Sequence, residues 1–312
     1  MTPSIALHSA IFWTYAAITG GVLLIAGGAI AFVRYRLHKN VHSVWLTYRS
    51  WLVMIPLIAA AVFLGRWAVV VGAVLLAVFG FREFARATGI LQDRCMAFAV
   101  YVLLVIAGVA CLAPDPYRHV PRRYALFMAM PVYATICLLI LPVLRNRTAG
   151  QLRLTALGVL GFLLGWLFLH LAWLANSPNP YGWLLYVIFA TEVNDVAAFG
   201  FGKWLGRRPL RSNISPRKTW EGAIGAAALS VLLAFALAFS FQDRPGAGRL
   251  VLIGLIVGVG GQLGDLAVSV IKRDTGIKDL GSSIPGHGGI LDRIDSLIFV
   301  APLVIHFMAG RL

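Results

Sequence analysis

The sequence predicts an all-α, polytopic integral membrane protein with nine or ten transmembrane helices. Three observations predict it. Sixty per cent of the 312 residues are hydrophobic and only 12% are charged, about half the charged fraction of a soluble chain. Apolar runs of roughly 20 residues recur, the length that crosses ~30 Å of hydrocarbon at 1.5 Å per helical residue. The runs are apolar on every side, whereas the strands of a membrane barrel alternate in polarity.

In chain order the runs cover residues 9–33, 50–65, 67–81, 96–113, 124–144, 154–175, 182–202, 222–241, 248–271 and 295–310. The first is long enough to span and follows no basic segment, so it reads as a helix and not as a signal peptide. Its Gly20-Gly21 and Gly27-Gly28 pairs predict close helix packing. The runs 50–65 and 67–81 are short, with Arg66 between them. They fit two tilted helices or a re-entrant hairpin, hence nine or ten spans. Cys95, Cys111 and Cys137 lie in or beside apolar runs without CxxC spacing, and read as packing residues.

The formal net charge of +15 reads as membrane topology and contact with anionic headgroups, with no nucleic-acid partner. The segments 34–49, 82–95, 145–153, 203–221 and 272–294 carry 20 of the 27 Lys and Arg. The positive-inside rule places them in the cytoplasm, at the inner face of the cell membrane. The acidic residues are distributed unevenly as well. Nine of twelve lie between Glu192 and Asp295. The chain therefore divides into N-terminal transmembrane helices, 1–153, and a C-terminal catalytic transmembrane region, 154–312.

Three constellations in that region carry chemistry. Asp265, Ser269 and Lys272 are spaced i, i+4, i+7 on one helix face, with Arg273 beside them. The plain alternative is a structural Asp265–Lys272 pair. Gly254, Gly258, Gly260, Gly261 and Gly264 thin the same helix, as close helix contact or a polar cavity would require. Next comes Pro285-Gly286-His287-Gly288-Gly289, a turn whose backbone can approach a ligand, followed by Asp292 and Asp295 at i, i+3 on the first turn of the last span. Those two aspartates can also act simply as favourable charges at a helix N-terminus. Asp265 and Asp292 offer hard oxygens suited to Mg²⁺, which binds through one or two carboxylates plus substrate phosphates. The third constellation runs from Glu192 to Gly222. Glu192 and Asp195 share a face near the end of a span, and six basic residues follow. Ser215-Pro216 reads as a helix N-cap and first position, so that Arg217 and Lys218 join a helix-start anion site; Glu221 stands within reach of Lys218. Carboxylates, a glycine-rich turn and two basic clusters at one interface suit a reaction between a metal-bound nucleoside triphosphate and an anionic lipid. No HExxH or Walker A sequence competes.

Ser269, Lys272-Arg273, Lys278-Asp279, Gly281, Pro285, His287-Gly288-Gly289, Asp292-Arg293 and Asp295 resemble, at every spaced position, the signature of the phosphatidate cytidylyltransferases (CDP-diacylglycerol synthases). Asn194-Asp195, Ala198, Gly200, Ser215-Pro216 and Lys218-Thr219-Trp220-Glu221-Gly222 resemble that family's upstream block. The resemblance covers about 100 residues, and the first 150 match only in hydropathy. It implies transfer of a cytidylyl group from CTP to phosphatidic acid, giving CDP-diacylglycerol and pyrophosphate. A Mg²⁺ requirement and a homodimer are implied too. By motif position, Asp265 and Asp292 look like metal carboxylates, with Asp295 a further candidate. Lys218, Lys272 and Arg273 look like phosphate-binding residues, and Ser269 and His287 line the same site. Asp265, Lys272 and Asp292 are the expected catalytic set. One departure is Phe199, where family members commonly carry tyrosine; it leaves open a different phospholipid acceptor.

Two other readings compete. A CTP-dependent polyprenol-type lipid kinase shares parts of the nucleotide pattern. A cation-coupled transporter would use Glu192, Asp195 and Asp265 as ion ligands, but predicts mid-membrane carboxylates and an inverted repeat. No repeat is evident.

Overall fold

A computed structural model describes residues 1–38, 41–112, 122–241, 245–284 and 288–309. The chain forms α1 (Pro3–His8), α2 (Ala10–Tyr35), α3 (His42–Leu64), α4 (Arg66–Thr88), α5 (Arg94–Ala110), α6 (Arg122–Leu144), α7 (Gln151–Trp173) and α8 (Pro180–Leu205). A hairpin of β1 (Pro209–Arg211) and β2 (Ser215–Thr219) follows, then α9 (Trp220–Ala236), α10 (Ala247–Asp274) and α11 (Leu291–Ala309).

Among the described residues, seven helices are long and apolar enough to cross a membrane: α2, α3, α4, α6, α7, α8 and α10. The expected count of nine or ten is not confirmed. Helices α5 and α9 are apolar but only 17 residues long, and α11 carries Asp292, Arg293 and Asp295 in its first five residues. The runs 50–65 and 67–81 fall in two separate helices, each long and apolar enough to cross a membrane. Both α3 and α4 are 23-residue helices. They meet at Gly65, whose φ of 102° permits the reversal between them.

Local chemistry sets several boundaries. Ser9 caps α2 by accepting the Phe12 N–H at 3.2 Å. Gly89, at φ 83°, ends α4 in the left-handed conformation. Asp93 opens α5 by accepting the N–H groups of Cys95 and Met96. The strand pair is a departure from an all-α chain. Ser215-Pro216 does not start a helix; it belongs to β2, which pairs antiparallel with β1. A residue before proline is pushed out of the helical region, and the helix starts four residues later. There Thr219 caps α9 by accepting the Gly222 N–H at 3.2 Å.

Helix α10 packs on α9 and α11, α8 on α9, and α4 on α7, which in turn meets α11. The buried core runs through Phe84, Phe127, Phe162, Phe168 and Tyr186. Leu24, Ile25, Val143 and Leu144 are more than 70% exposed, an apolar outer surface suited to lipid and not to water. Gly254 and Gly258 of α10 lie against the backbone of Val231 and Ala227 of α9, and Gly264 against that of Asp295 and Ser296 on α11. These glycines serve close helix contact. The paired glycines of α2 do not. Gly20, Gly21 and Gly28 face open space, and only Gly27 meets a neighbour, Tyr48. The cysteines are free, and Cys111 alone of the three is buried.

The connections sort into two ends. At one end Asp93 pairs with Arg145, Glu83 with Ser283, and Arg273 with the Ile214 carbonyl. At the other, Tyr181 bonds to Thr2, and Asn179 to Ser240. The segments singled out for their basic residues thus include four, 82–95, 145–153, 203–221 and 272–294, that meet at a common end.

Candidate active site

The site lies where α8, β2, α10 and the start of α11 converge at that common end. Helix α10 presents Asp265, Ser269 and Lys272 along one face, as their spacing requires. Ser269 Oγ donates to Asp265 Oδ1 at 3.2 Å. The two charged members do not pair with each other. Lys218 Nζ, from β2, stands 2.7 Å from Asp265 Oδ2 and 3.3 Å from Gln262 Oε1. Lys272 Nζ reaches Asp292 Oδ1 on α11 at 3.0 Å. Each lysine therefore joins two separate elements.

Asp292 is held on all sides. Besides Lys272 it accepts the N–H of Leu280 at 3.0 Å and of Gly289 at 2.9 Å, both on Oδ2. Asp295 accepts the Ser296 N–H at 2.8 Å, and the Ser296 hydroxyl donates to Asp195 Oδ2 on α8, also at 2.8 Å. This hydroxyl sets Asp195 beside Asp295. Asp195, Asp265 and Asp295 interact electrostatically, with Lys218, Lys272 and Arg293 as the offsetting cations. Asp265 lies nine residues from the end of α10, about 14 Å at 1.5 Å per residue. Such depth is costly for carboxylates without cations.

Several expected residues are placed elsewhere. Arg273 is exposed and donates to the carbonyl oxygens of Ile214 and Ile277. It braces the hairpin instead of joining the carboxylates. Glu221 does not pair with Lys218; it accepts the backbone N–H groups of Arg207 and Arg208. Glu192 is the thirteenth residue of the 26-residue α8, so it sits at mid-helix and not near the end of a span. Phe199 is 73% exposed on the outer face of α8. His287 lies outside the described residues.

Sequence reasoning missed Glu83, at the end of α4. It is buried, accepts the Ser283 hydroxyl at 2.6 Å, and accepts the Leu291 N–H at 2.9 Å. Its signal was present: an acidic residue at the end of an apolar helix, one of only three in the first half. Asn194, fully buried on α8, accepts from Ser230 of α9 at 3.1 Å.

The donor chemistry is that of hard carboxylate oxygens. Asp265 and Asp295 face one charge cluster; both oxygens of Asp292 are engaged by protein donors, and so are those of Asp265, by Ser269 on Oδ1 and Lys218 on Oδ2. Among the described residues, no three His, Cys, Asp or Glu side chains stand together as a closed metal site. Asp265, whose side chain is 29% exposed, and the neighbouring buried Asp295 offer two carboxylates of the kind that Mg²⁺ takes while it keeps several waters and shares substrate phosphates.

A profile described as the cytidylyltransferase family matches residues 45–310. A protein of Escherichia coli strain K12, called uncharacterized protein YnbB, is 30% identical over 294 residues, 92% of this chain and 95% of its own. A phosphatidate cytidylyltransferase of Synechocystis is 49% identical over 118 residues, 36% of this chain and 39% of its own. One of Staphylococcus haemolyticus is 41% identical over 130 residues, 42% of this chain and 50% of its own. The chain thus matches half or less of the length of these two enzymes.

Proposed function

This chain belongs to the cytidylyltransferase family and is a nucleotidyltransferase, and on that premise we propose that it transfers the cytidylyl group of CTP to phosphatidic acid, giving CDP-diacylglycerol and pyrophosphate. The observation that carries the proposal is the alternation of cations and carboxylates at one end of an apolar bundle: Lys218 on Asp265 and Lys272 on Asp292, with Asp295 alongside. A nucleotide and an anionic lipid bring phosphates, and fixed ammonium groups attract them without reorganising. The names of the partly matching relatives supply the acceptor.

No protein nucleophile is required. The phosphate monoester of the lipid carries the attacking oxygen, and the protein positions it against the α-phosphorus. Lys218 is the lysine with a route to substrate, since its side chain is partly exposed whereas Lys272 is nearly enclosed. Ser269 orients Asp265. Lys272 and the Leu280 and Gly289 amides fix Asp292. Arg273 binds phosphate from the rim, and His287 remains the expected lining residue of the turn. Mg²⁺ is the expected cofactor; Asp265, Asp292 and Asp295 are the carboxylates that would hold it, and it would offset the charge of the leaving pyrophosphate. Because Phe199 points outward, the missing phenol removes no hydrogen bond from the carboxylate cluster.

The location we propose is the inner membrane with the site toward the cytoplasm, supported by 20 of 27 Lys and Arg on the segments assigned there. The homodimer is part of the proposal, and the mass of the detergent-purified protein checks it. The function is tested by offering purified protein CTP labelled at the α-phosphate, Mg²⁺ and phosphatidic acid, with Asp265→Asn as control. Label entering lipid with pyrophosphate release, and lost in the variant, is the expected result. Label that stays in the aqueous phase overturns the proposal.

A further inference from the structure

We propose that Glu83 is a positioning residue for Asp292, acting from the N-terminal half of the chain on the carboxylate 209 positions later; this rests on the reading of Asp292 as a site residue. Glu83 is 5% exposed and stands in the last two turns of α4, outside the two motif blocks that carry the resemblance. Its two oxygens are used on two different pieces of chain, the segment before α11 and the first residue of α11 itself. Oε1 accepts the Ser283 hydroxyl at 2.6 Å, and Oε2 accepts the Leu291 N–H at 2.9 Å. The second bond caps α11, since Leu291 is its first residue, and an anion there is favoured by the helix dipole.

The chain is thinned to glycine where Glu83 enters. A Cβ on Gly281 would collide with Glu83 Oε1, and one on Gly289 with Oε2. The same Gly289 Cβ would sit 2.8 Å from the Gly281 nitrogen, so the two pieces of chain touch each other as well as the carboxylate. Gly289, from the turn that suggested close approach to a ligand, and Gly281 thus admit a carboxylate of the protein itself. Gly289 stands between two acids. Its flank meets Glu83, and its N–H goes to Asp292 Oδ2 at 2.9 Å. Leu280, next to Gly281, supplies the other N–H on that oxygen at 3.0 Å. Glu83 makes no bond to Asp292, yet it holds both pieces of backbone that Asp292 depends on. Removing it frees those amides to drift, and a shift of about 1 Å in a reacting constellation costs about 10²-fold in rate.

The test compares purified Glu83→Ala, Glu83→Gln, Ser283→Ala and the combined Glu83→Gln/Ser283→Ala. The readouts are kcat and the KM for CTP with phosphatidic acid, and residue-resolved amide exchange without substrate. Glu83→Ala is expected to lower kcat about 10²-fold while the KM for CTP stays within about threefold. The Leu280 and Gly289 amides, which bond to Asp292 and not to Glu83, are expected to exchange faster. Glu83→Gln should restore most of kcat, because the Ser283 hydroxyl can turn to accept from the new amide while its oxygen still takes the Leu291 N–H. Ser283→Ala should cancel that rescue. Should Glu83→Ala fail to fold, the rescue and its cancellation carry the test. Folded Glu83→Ala with unchanged kcat, or faster exchange confined to Leu291, overturns the proposal. A wild-type protein without turnover refutes the proposed reaction alone, and exchange at Leu280 and Gly289 then decides the role of Glu83.

Discussion

Lys272 Nζ and Asp292 Oδ1 stand 3.0 Å apart with both side chains nearly enclosed, so one ion pair ties the last turns of α10 to the first turn of α11. Breaking such a pair leaves a buried charge unpaired. Lys272→Ala is expected to cost about 3–5 kcal/mol, read from thermal unfolding in detergent. Lys272→Met combined with Asp292→Leu should recover part of that loss. The recovery is incomplete because the Leu280 and Gly289 amides lose their acceptor.

Lys218 should behave differently. Its pair with Asp265 is more exposed on both sides than the Lys272–Asp292 pair, so Lys218→Ala is expected to destabilise less than Lys272→Ala, while still leaving the Asp265 carboxylate short of a cation. Its activity loss should be larger, about 10²–10³-fold in kcat, as for a charge aimed at a transition state. Unfolding and turnover measured on one preparation separate the two effects. Equal losses in both variants would contradict the assignment of Lys218 to the substrate side.

The glycines of α10 and α2 make a matched comparison. Gly254→Ala drives a Cβ into the backbone of Val231 and is expected to cost about 1–3 kcal/mol. Gly20→Ala meets nothing within 4 Å, and should be neutral or stabilising by up to about 1 kcal/mol through helix propensity. Unfolding midpoints of the two variants decide it.

The start of α9 is also open to test. Thr219→Ala removes the side chain that caps the Gly222 N–H and should cost about 0.5–2 kcal/mol. Ser215→Ala, in the strand, should stay within about 0.5 kcal/mol. The reverse order would mean that the helix begins at Ser215-Pro216 after all.

Asp93 links pH to stability. Burial pushes its carboxyl up, but the Met96 N–H, the Arg145 guanidinium, whose Nη1 donates to both carboxylate oxygens, and the Cys95 N–H together hold it below the ordinary value. A group depressed in the folded state adds stability above its unfolded pKa of about 3.9 and loses it as pH falls through the folded value. The wild-type protein is therefore expected to lose stability below about pH 4 more steeply than Asp93→Asn. Unfolding midpoints between about pH 3 and pH 7 compare the two.

Much of this protein was legible without coordinates. Hydropathy is local, so the long apolar runs reported helices directly. The i, i+4, i+7 spacing of Asp265, Ser269 and Lys272 gave their common face, since helical periodicity alone places them. What failed needed knowledge of neighbours. Ser215-Pro216 carries the letters of a helix start, but β1 offered the segment a partner, and the cap fell to Thr219. Gly20 and Gly254 look alike in sequence, and only packing distinguishes a lipid-facing glycine from one pressed on a helix.

The amino-acid sequence by itself determined the class of the protein, the segments where its cations gather, and the shared face of Asp265, Ser269 and Lys272. Each of these depends on composition or on spacings within one element. The tertiary structure decided who pairs with whom: Lys218 with Asp265, Lys272 with Asp292, Asp195 with Ser296, and Glu83 with Ser283 and Leu291. These partners lie 20 to 208 residues apart. Charge and hydrogen bonding act over a few ångströms, so the choice among equally suitable partners is made only when packing of the apolar helices has fixed which ends meet.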